Sequence, residues 1–570
     1  MNFDRILLEL GEFGPWQRRN NLLMWLPSAA AGVNVLIAAF AVMSPRNGYR
    51  CRNQCDGDLM QWDPPGYEVL DLFPSFDNSS EDFNTENPNY CRNYLTTKVG
   101  DTCVINKSQI VKCKHGDEFV YANFEMDKTV ATANDLVCGD YFWTIIIDEF
   151  YMLGLFIGSF GFGYVSDKIG RRLTLLVSIV CCSAGNLLGC AMPNQWSYAL
   201  TRIVAAAGGE GIFLIVFTLA LEYSGVRETV PLFKWVTWST MLANVVVIPF
   251  ALGEIVPALV AMGLKDWKTF QAGVSAVIAV TGLVYFFIPE SPRWLIANGR
   301  KNEAMQLIDE AAVANKVKLN NVFEEDISEK TEETDTVSPV YGVKDLFRRS
   351  QLNITLPLFF CWPVITMLYY GLSLSADKIK MTDNVYLSYI LVSLIEIPAY
   401  LLLPLVIDVW GRKPLFFITQ FLPGICCITA AFLTPGTVFF AFLTLSAKFG
   451  VSAAANVKYM YTAQLYPTSI RNTAVGTCST IARIGGMVRS LRASALVKSF
   501  SLIALSNHWE VSDRARHDIR NCSSLSLWGV WNSWRPLCPA PARHCRLPST
   551  GQLRRCRGNQ KKWETCVEIV

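Results

Sequence analysis

The sequence predicts an all-α polytopic membrane protein made of two similar halves, and three observations carry that expectation. Of 570 residues, 51% are hydrophobic and 17% are charged, giving a mean hydropathy of +0.26, more apolar than a water-soluble chain of this length. Apolar runs of the ~20 residues needed to cross the hydrocarbon recur along the chain. A short polar turn motif occurs twice, at corresponding distances from the surrounding runs. The formal net charge of +3 is near balance, and no basic stripe with interleaved aromatics precedes the C-terminal tail, which argues against nucleic acid as a partner.

Residues 1–20 form a polar leader with Arg5, Arg18 and Arg19. No small-residue cleavage pattern follows, so the first span, 21–43, reads as a retained signal anchor. Residues 44–141 are polar and hold Cys51, Cys55, Cys91, Cys103, Cys113 and Cys138, an even set that suggests disulfides formed in an oxidising compartment, with the pairing open. The same stretch carries the sequons Asn78-Ser79-Ser80 and Asn106-Lys107-Ser108, which are glycan acceptors only on the lumenal side.

Apolar runs at 142–165, 173–192, 196–222, 232–253 and 267–289 complete a first series, so 142–289 is assigned to spans two to six. A polar segment, 290–351, has an acidic patch from Glu324 to Asp335. A second series follows at 352–374, 385–407, 415–434 and 437–463, with 464–487 opening an eleventh span. Lys168, Arg171, Arg172, Arg227, Arg293, Arg412, Lys413 and Arg471 all fall in short loops on the side of the N-terminus. The excess of basic residues marks that side as cytoplasmic and puts 44–141 outside the cell, as the cysteines require.

The repeated motif is Gly163-Tyr-Val-Ser-Asp167-Lys168-Ile-Gly170-Arg171-Arg172, echoed by Pro404-Leu-Val-Ile-Asp408-Val-Trp-Gly411-Arg412-Lys413. Gly170 permits a tight turn, and Asp167 can pair with Arg171 or accept from a helix N-terminus. Downstream of each copy comes a second pair, Glu222 with Arg227 and Gln464 with Arg471. Two halves of six spans in the same orientation follow, the parallel repeat of a large transporter class. The gating candidates are Asp167, Arg171, Arg172, Glu222, Arg227, Asp408, Arg412 and Arg471.

This doubled pattern resembles the signature loop of the major facilitator superfamily, and within it the chain resembles the organic cation, organic anion and carnitine transporters over residues 1–487. The resemblance rests on Pro289-Glu290-Ser291-Pro292-Arg293-Trp294-Leu295, on Trp362 with Tyr369-Tyr370-Gly371-Leu372-Ser373, on Glu396-Ile397-Pro398-Ala399-Tyr400, and on Tyr461-Thr462-Ala463-Gln464-Leu465-Tyr466-Pro467-Thr468 running to Arg471-Asn472. The first of these stretches is shared with sugar porters, so a sugar-porter-like carrier stays as a further reading, but sugar porters lack the cysteine-rich loop. The resemblance implies the major facilitator fold and a secondary carrier of small organic ions in the plasma membrane, working by alternating access. Pro404 and Gln464 depart from the family pattern, where Gly and Glu are usual, and weaken the second half's charge network.

Charges inside spans are costly and default to function. Glu210, Lys448, Lys458 and Arg483 are the candidates, with Arg202 and Glu396 nearer span ends, and a purely structural pairing is the alternative for each. The family carries Arg at the position of Arg483 in anion and carnitine carriers and Asp in many pure cation carriers, so the resemblance implies a substrate with a carboxylate. Trp362, Tyr369 and Tyr370 can offer ring faces to an ammonium group or simply pack between helices. The substrate-binding candidates are therefore Arg483, Trp362, Tyr369, Tyr370, Glu210 and Lys458. No nucleotide-binding loop or zinc pattern occurs, so neither an enzyme nor a bound cofactor or metal is expected. The expected partners are the bilayer, a small organic ion (a zwitterion or anion such as carnitine, or an organic cation) and Na+ or H+ as coupling ion.

After Gly485-Gly486-Met487 the pattern breaks. Arg492 and Lys498 interrupt Leu491 to Leu505, and 506–570 contains no 18-residue apolar run. The expectation is a second half with spans eleven and twelve disrupted and an aberrant, disordered tail at 488–570, which a shifted reading frame explains. A genuine alternative terminus that binds a partner is the other reading. A non-transporting truncated or regulatory membrane protein is accordingly the alternative function.

Overall fold

In the computed structural model the described residues lie within 10–487, apart from 53–90, 318–342 and shorter loop segments that include 224–228 and 471–472. The part of span eleven beyond 487, span twelve, the tail, and Cys55, Asn78, Arg227 and Arg471 therefore lie outside the described residues. Among those described, nine helices are long and apolar enough to cross a membrane.

The first half comprises α1 (Pro15–Ala41), α2 (Phe142–Ile169), α3 (Arg171–Cys190), α4 (Gln195–Tyr223), α5 (Ile248–Gly263) and α6 (Trp267–Phe286). The second comprises α7 (Arg349–Leu374), α8 (Val385–Trp410), α9 (Arg412–Ala430), α10 (Val438–Leu465) and α11 at 473–487. Their starts follow local chemistry. The side chains of Asp266, Asn384 and Thr437 each accept a backbone N–H from the first turn of α6, α8 and α10, satisfying donors that a helix cannot satisfy itself. Between the halves, Asn315 at the end of the helix Lys301–Asn315 accepts from the Trp16 N–H at 2.9 Å and donates to the Leu10 carbonyl and the Gln17 Oε1, fastening this helix beneath α1.

One span lies elsewhere than expected. The apolar run 232–253 holds a strand, Phe233–Thr237, paired antiparallel with Thr229–Val230, and the long helix of this span is Ile248–Gly263. Pro249 stands in the first turn of this helix, and a second proline, Pro257, is accommodated in its interior. In the first turn the missing N–H of Pro249 costs nothing. The helix runs on to Gly263 and holds Glu254 in its buried face.

Helices α1 and α5 meet almost backbone to backbone. A Cβ on Gly32 would lie 1.9 Å from the Phe250 carbonyl oxygen, and one on Gly253 would lie 2.0 Å from that of Ala29. Only glycine fits at either place, the close approach that bilayer helices use in place of hydrophobic drive.

The loop after α1 forms two antiparallel ribbons: β1 (Tyr49–Cys51) and, in chain order, β2 (Arg92–Val99) and β3 (Thr102–Lys112), which pair with each other, and β4 (Phe119–Tyr121), which pairs with β1. Disulfides join Cys51 to Cys113 and Cys91 to Cys138, the latter tying the ribbon to the start of α2. Cys103 lies on β3. The ribbon β2/β3 is irregular between Tyr94 and Leu95, where the pairing jumps from Ile110 to Asn106 and the sequon bulges outward. Asn106 is exposed there, and Ser108 donates both its N–H and its hydroxyl to the Asn106 Oδ1, at 3.1 and 2.6 Å. Protein made in eukaryotic cells is expected to carry a glycan at Asn106 or Asn78. Glycosidase should sharpen and lower its gel band, and a shift that persists in the double Asn→Gln variant would count against both sites.

Candidate functional site

A cavity of ≈ 90 Å³ lies between the halves. It is lined from α1, α2, α4, α5 and its N-cap on one side and from α7, α8, α10 and α11 on the other, while α3, α6 and α9 contribute nothing. Equivalent helices of two parallel repeats thus face the same space. Its size is well below the ~300 Å³ or more of a ligand pocket, so the side chains of the two halves leave little free room between them.

Three ionisable side chains with formal charge line this space: Glu210 from α4, Lys458 from α10 and Arg483 from α11. All three are buried. Arg483 forms an ion pair with Glu210 across the two halves and donates to the Tyr370 hydroxyl at 3.3 Å. Its Nε has no hydrogen-bond partner among the described residues, so the guanidinium keeps a donor in reserve. Lys458 donates to Thr366 Oγ1 at 3.3 Å, with its ammonium 4.7 Å from the Trp362 ring centre and 5.4 Å from that of Tyr459. Tyr151, Tyr369, Tyr370, Tyr400 and Tyr459 supply the aromatic walls.

Of the sequence candidates, Arg483, Glu210, Lys458, Tyr369 and Tyr370 come together here. Trp362 stands behind the lining, beneath Lys458, and donates its indole N–H to Thr462 at 3.1 Å. Arg202 lies outside the lining as well: it donates to Asn186 Oδ1 at 2.8 Å and stacks 4.8 Å from the Tyr151 ring centre. Glu254 was invisible as a candidate because the expected fifth span ended at 253. The apolar surroundings of Gly253-Glu254 within Ile248–Gly263 were the signal. Glu396 and Lys448 form a second, fully buried ion pair, described below.

The first-half motif builds a tight cluster. Arg171 contacts Asp167 at 3.0 Å and Glu222 at 3.3 Å, and donates to the Ser166 carbonyl at 2.9 Å. Glu290, just past α6, accepts the backbone N–H groups of Arg171 and Arg172 at the start of α3, at 2.9 and 3.2 Å. An anion at a helix N-terminus is favoured by the helix dipole as well as by these bonds. Gly170 makes it possible: its φ of 100° suits glycine, and a Cβ would come within 2.4 Å of the Glu290 carboxylate. Arg172 bonds the Tyr285 carbonyl at 3.0 Å and stacks on that ring. In the second half Gly411 adopts a matching φ of 81°, but Asp408 and Arg412 stand 3.8 Å apart and Gln464 is exposed.

Two parallel helical repeats packed about a charged cavity, with an Asp-Gly-Arg turn at the same place in each, define a membrane carrier of the major facilitator fold. The family model described as sugar (and other) transporter matches residues 101–504. The chain belongs to this family, within its organic cation, organic anion and carnitine transporter branch. It is 28% identical to an organic cation transporter protein of Drosophila melanogaster over 86% of each chain, and 27% identical to the human organic cation/carnitine transporter 2 over 85% of each. Among solved structures it is similar to the inward-open conformation of the xylose transporter XylE from E. coli, with a TM-score of 0.52 and 12% identity over 92% of this chain and 98% of that one, a likeness of fold alone. These relatives are transporters and not enzymes.

Proposed function

We propose that the protein carries small organic ions with a carboxylate, zwitterions such as carnitine foremost, across the plasma membrane by alternating access. The observation that supports this reading is the charge set in the cavity: two cations, Arg483 and Lys458, against one anion, Glu210. A zwitterion can enter between Arg483 and Glu210 and give each a new partner, so no buried charge is left bare. A simple organic cation would release Arg483 unpaired beside Lys458. One of the relatives, the human organic cation/carnitine transporter 2, is named for such a zwitterion, which supports this choice. In this reading the N-terminus and segment 290–351 are cytoplasmic, the disulfide-tied loop is outside, and the Arg171 cluster biases the cytoplasmic gate.

The test is competition for uptake of radiolabelled carnitine in cells expressing the full chain. Unlabelled carnitine and small carboxylates are expected to compete, and tetraethylammonium to compete at least about ten-fold more weakly. Strong inhibition by tetraethylammonium with none by carboxylates would overturn the assignment.

A further inference from the structure

A second polar cluster lies behind the cavity wall, and its hydrogen bonds cannot all be made without an extra proton. The Tyr369 hydroxyl of α7 sits 3.1 Å from Glu254 Oε1 of α5 and 3.1 Å from Glu396 Oε2 of α8. A phenol has one hydrogen. If both carboxyls were ionised, one of these contacts would set oxygen against anionic oxygen with nothing between them. Glu396 is the ionised member, because it pairs with Lys448 and also accepts from the Tyr400 hydroxyl at 2.6 Å. Glu254 has no cation of its own. The chain of bonds closes when Glu254 carries a proton and donates it to Tyr369, which donates in turn to Glu396.

Charge counting gives the same answer. Glu254, Glu396 and Lys448 are all fully buried, so two carboxylates and one ammonium would leave a net negative charge away from water, at a cost of several kcal/mol. The ionisable groups facing Glu254 are Tyr369 and Tyr370 on α7, Glu396 and Tyr400 on α8 and Lys448 on α10, with the Ser393 hydroxyl alongside; the other helices against α5, α1 and α6, bring none. The seam matters as much as the charge. Glu254 belongs to the first half, whereas Tyr369, Glu396, Tyr400 and Lys448 belong to the second. Tyr369 and Tyr400 also line the cavity, one layer in front of Glu254.

We propose that Glu254 is a proton-binding site whose occupancy is required for the two halves to close, so that each passage through this closed arrangement takes up one proton from water. When the halves separate, the Tyr369 contact breaks, Glu254 meets water, and the pH on that side fixes whether it keeps or loses its proton. The transport consequence rests on the organic-ion reading above; the proton itself does not.

Infrared difference spectroscopy on the purified full chain, in water and in D2O at neutral pH, is expected to show a carboxylic acid C=O band that is lost in Glu254→Gln and shifted in Glu254→Asp. A wild type without such a band, or a band that survives in Glu254→Gln, overturns the proposal. Hydrogen–deuterium exchange of α5 and α7, corrected for intrinsic pH dependence, then tests closure. With the proton linked to closure, protection in the wild type falls by up to about ten-fold per pH unit once Glu254 ionises. It stays constant in Glu254→Gln, which mimics the protonated form. Equal pH dependence in both proteins overturns the link. In proteoliposomes, a pH gradient should drive carnitine accumulation by wild type at least about ten-fold above Glu254→Gln, which keeps carnitine exchange. Accumulation insensitive to the gradient also overturns coupling. Absence of any carnitine movement in both proteins would instead sink the substrate assignment, leaving exchange and infrared data to decide the proton.

Discussion

Arg483→Lys is expected to weaken binding of a carboxylate-bearing zwitterion by about ten- to a hundred-fold while surface abundance stays near wild type. The lysine keeps a cation opposite Glu210 but presents a point charge where the guanidinium offers two parallel donors. Losing a charged hydrogen bond at a desolvated site costs ~1.5–3 kcal/mol, which sets the range. Arg483→Asp is harsher, because it places a second carboxylate beside buried Glu210. Breaking a buried pair costs about 3–5 kcal/mol, so abundance should fall along with uptake. The double variant Glu210→Gln with Arg483→Gln separates the two effects: it removes both members of the ion pair together, so neither is left facing a missing partner, and it should reach the surface and still lose zwitterion uptake. Radiolabelled carnitine and tetraethylammonium, each normalised to surface protein, are the measurement. Equal losses for both substrates would make Arg483 a structural partner of Glu210 and nothing more.

Arg171→Ala is expected to reduce turnover per surface carrier by about ten-fold, with the substrate concentration for half-maximal uptake changed little. The side chain touches nothing in the cavity. It gathers Glu222, Asp167 and the Ser166 carbonyl at the joint of α2, α3 and α4. The contact to Asp167 is worth little, since that carboxylate is 74% exposed. Glu222, at 16%, is the partner whose loss is felt. A shift of ~1.4 kcal/mol in the balance between open and closed ends is a ten-fold change in population. Gly170→Ala should act in the same direction by pushing the Glu290 carboxylate off the start of α3. Unchanged normalised uptake in both variants would reduce the motif to a marker of topology.

Much of this arrangement was legible before any coordinates. Hydrocarbon-length runs, the doubled turn and the basic loops specify two parallel bundles, because membrane helices satisfy their own backbone and so announce themselves by length. The pairing of Glu210 with Arg483 was not legible, since a charge in a span needs a partner but does not say which. What escaped was register. Hydropathy sees the run 232–253 as continuous and is blind to the strand Phe233–Thr237 within it and to the helix running on to Gly263. That slip put Glu254 in a loop and hid the second cluster. Glu290 stood in a recognised motif, yet its task as an anionic cap for α3 depends on a contact across 119 residues, and Gly170 gives it room. Neither is encoded in periodicity.

The close approach of α1 and α5, at Gly32 against Phe250 and at Gly253 against Ala29, has a mechanical consequence. With the two backbones touching, neither helix can translate toward the other, and α5 can only tilt about the point of contact, as a beam does on a knife edge. Gly263 lies ten residues along the axis from Gly253, a lever arm of ~15 Å, whereas Glu254 is one residue away, ~1.5 Å. A tilt of about 10° would sweep the far end through ~2.6 Å and displace the Glu254 backbone by only ~0.3 Å. The carboxyl therefore sits at the still point of its own helix, and its partners in the second half must come and go around it.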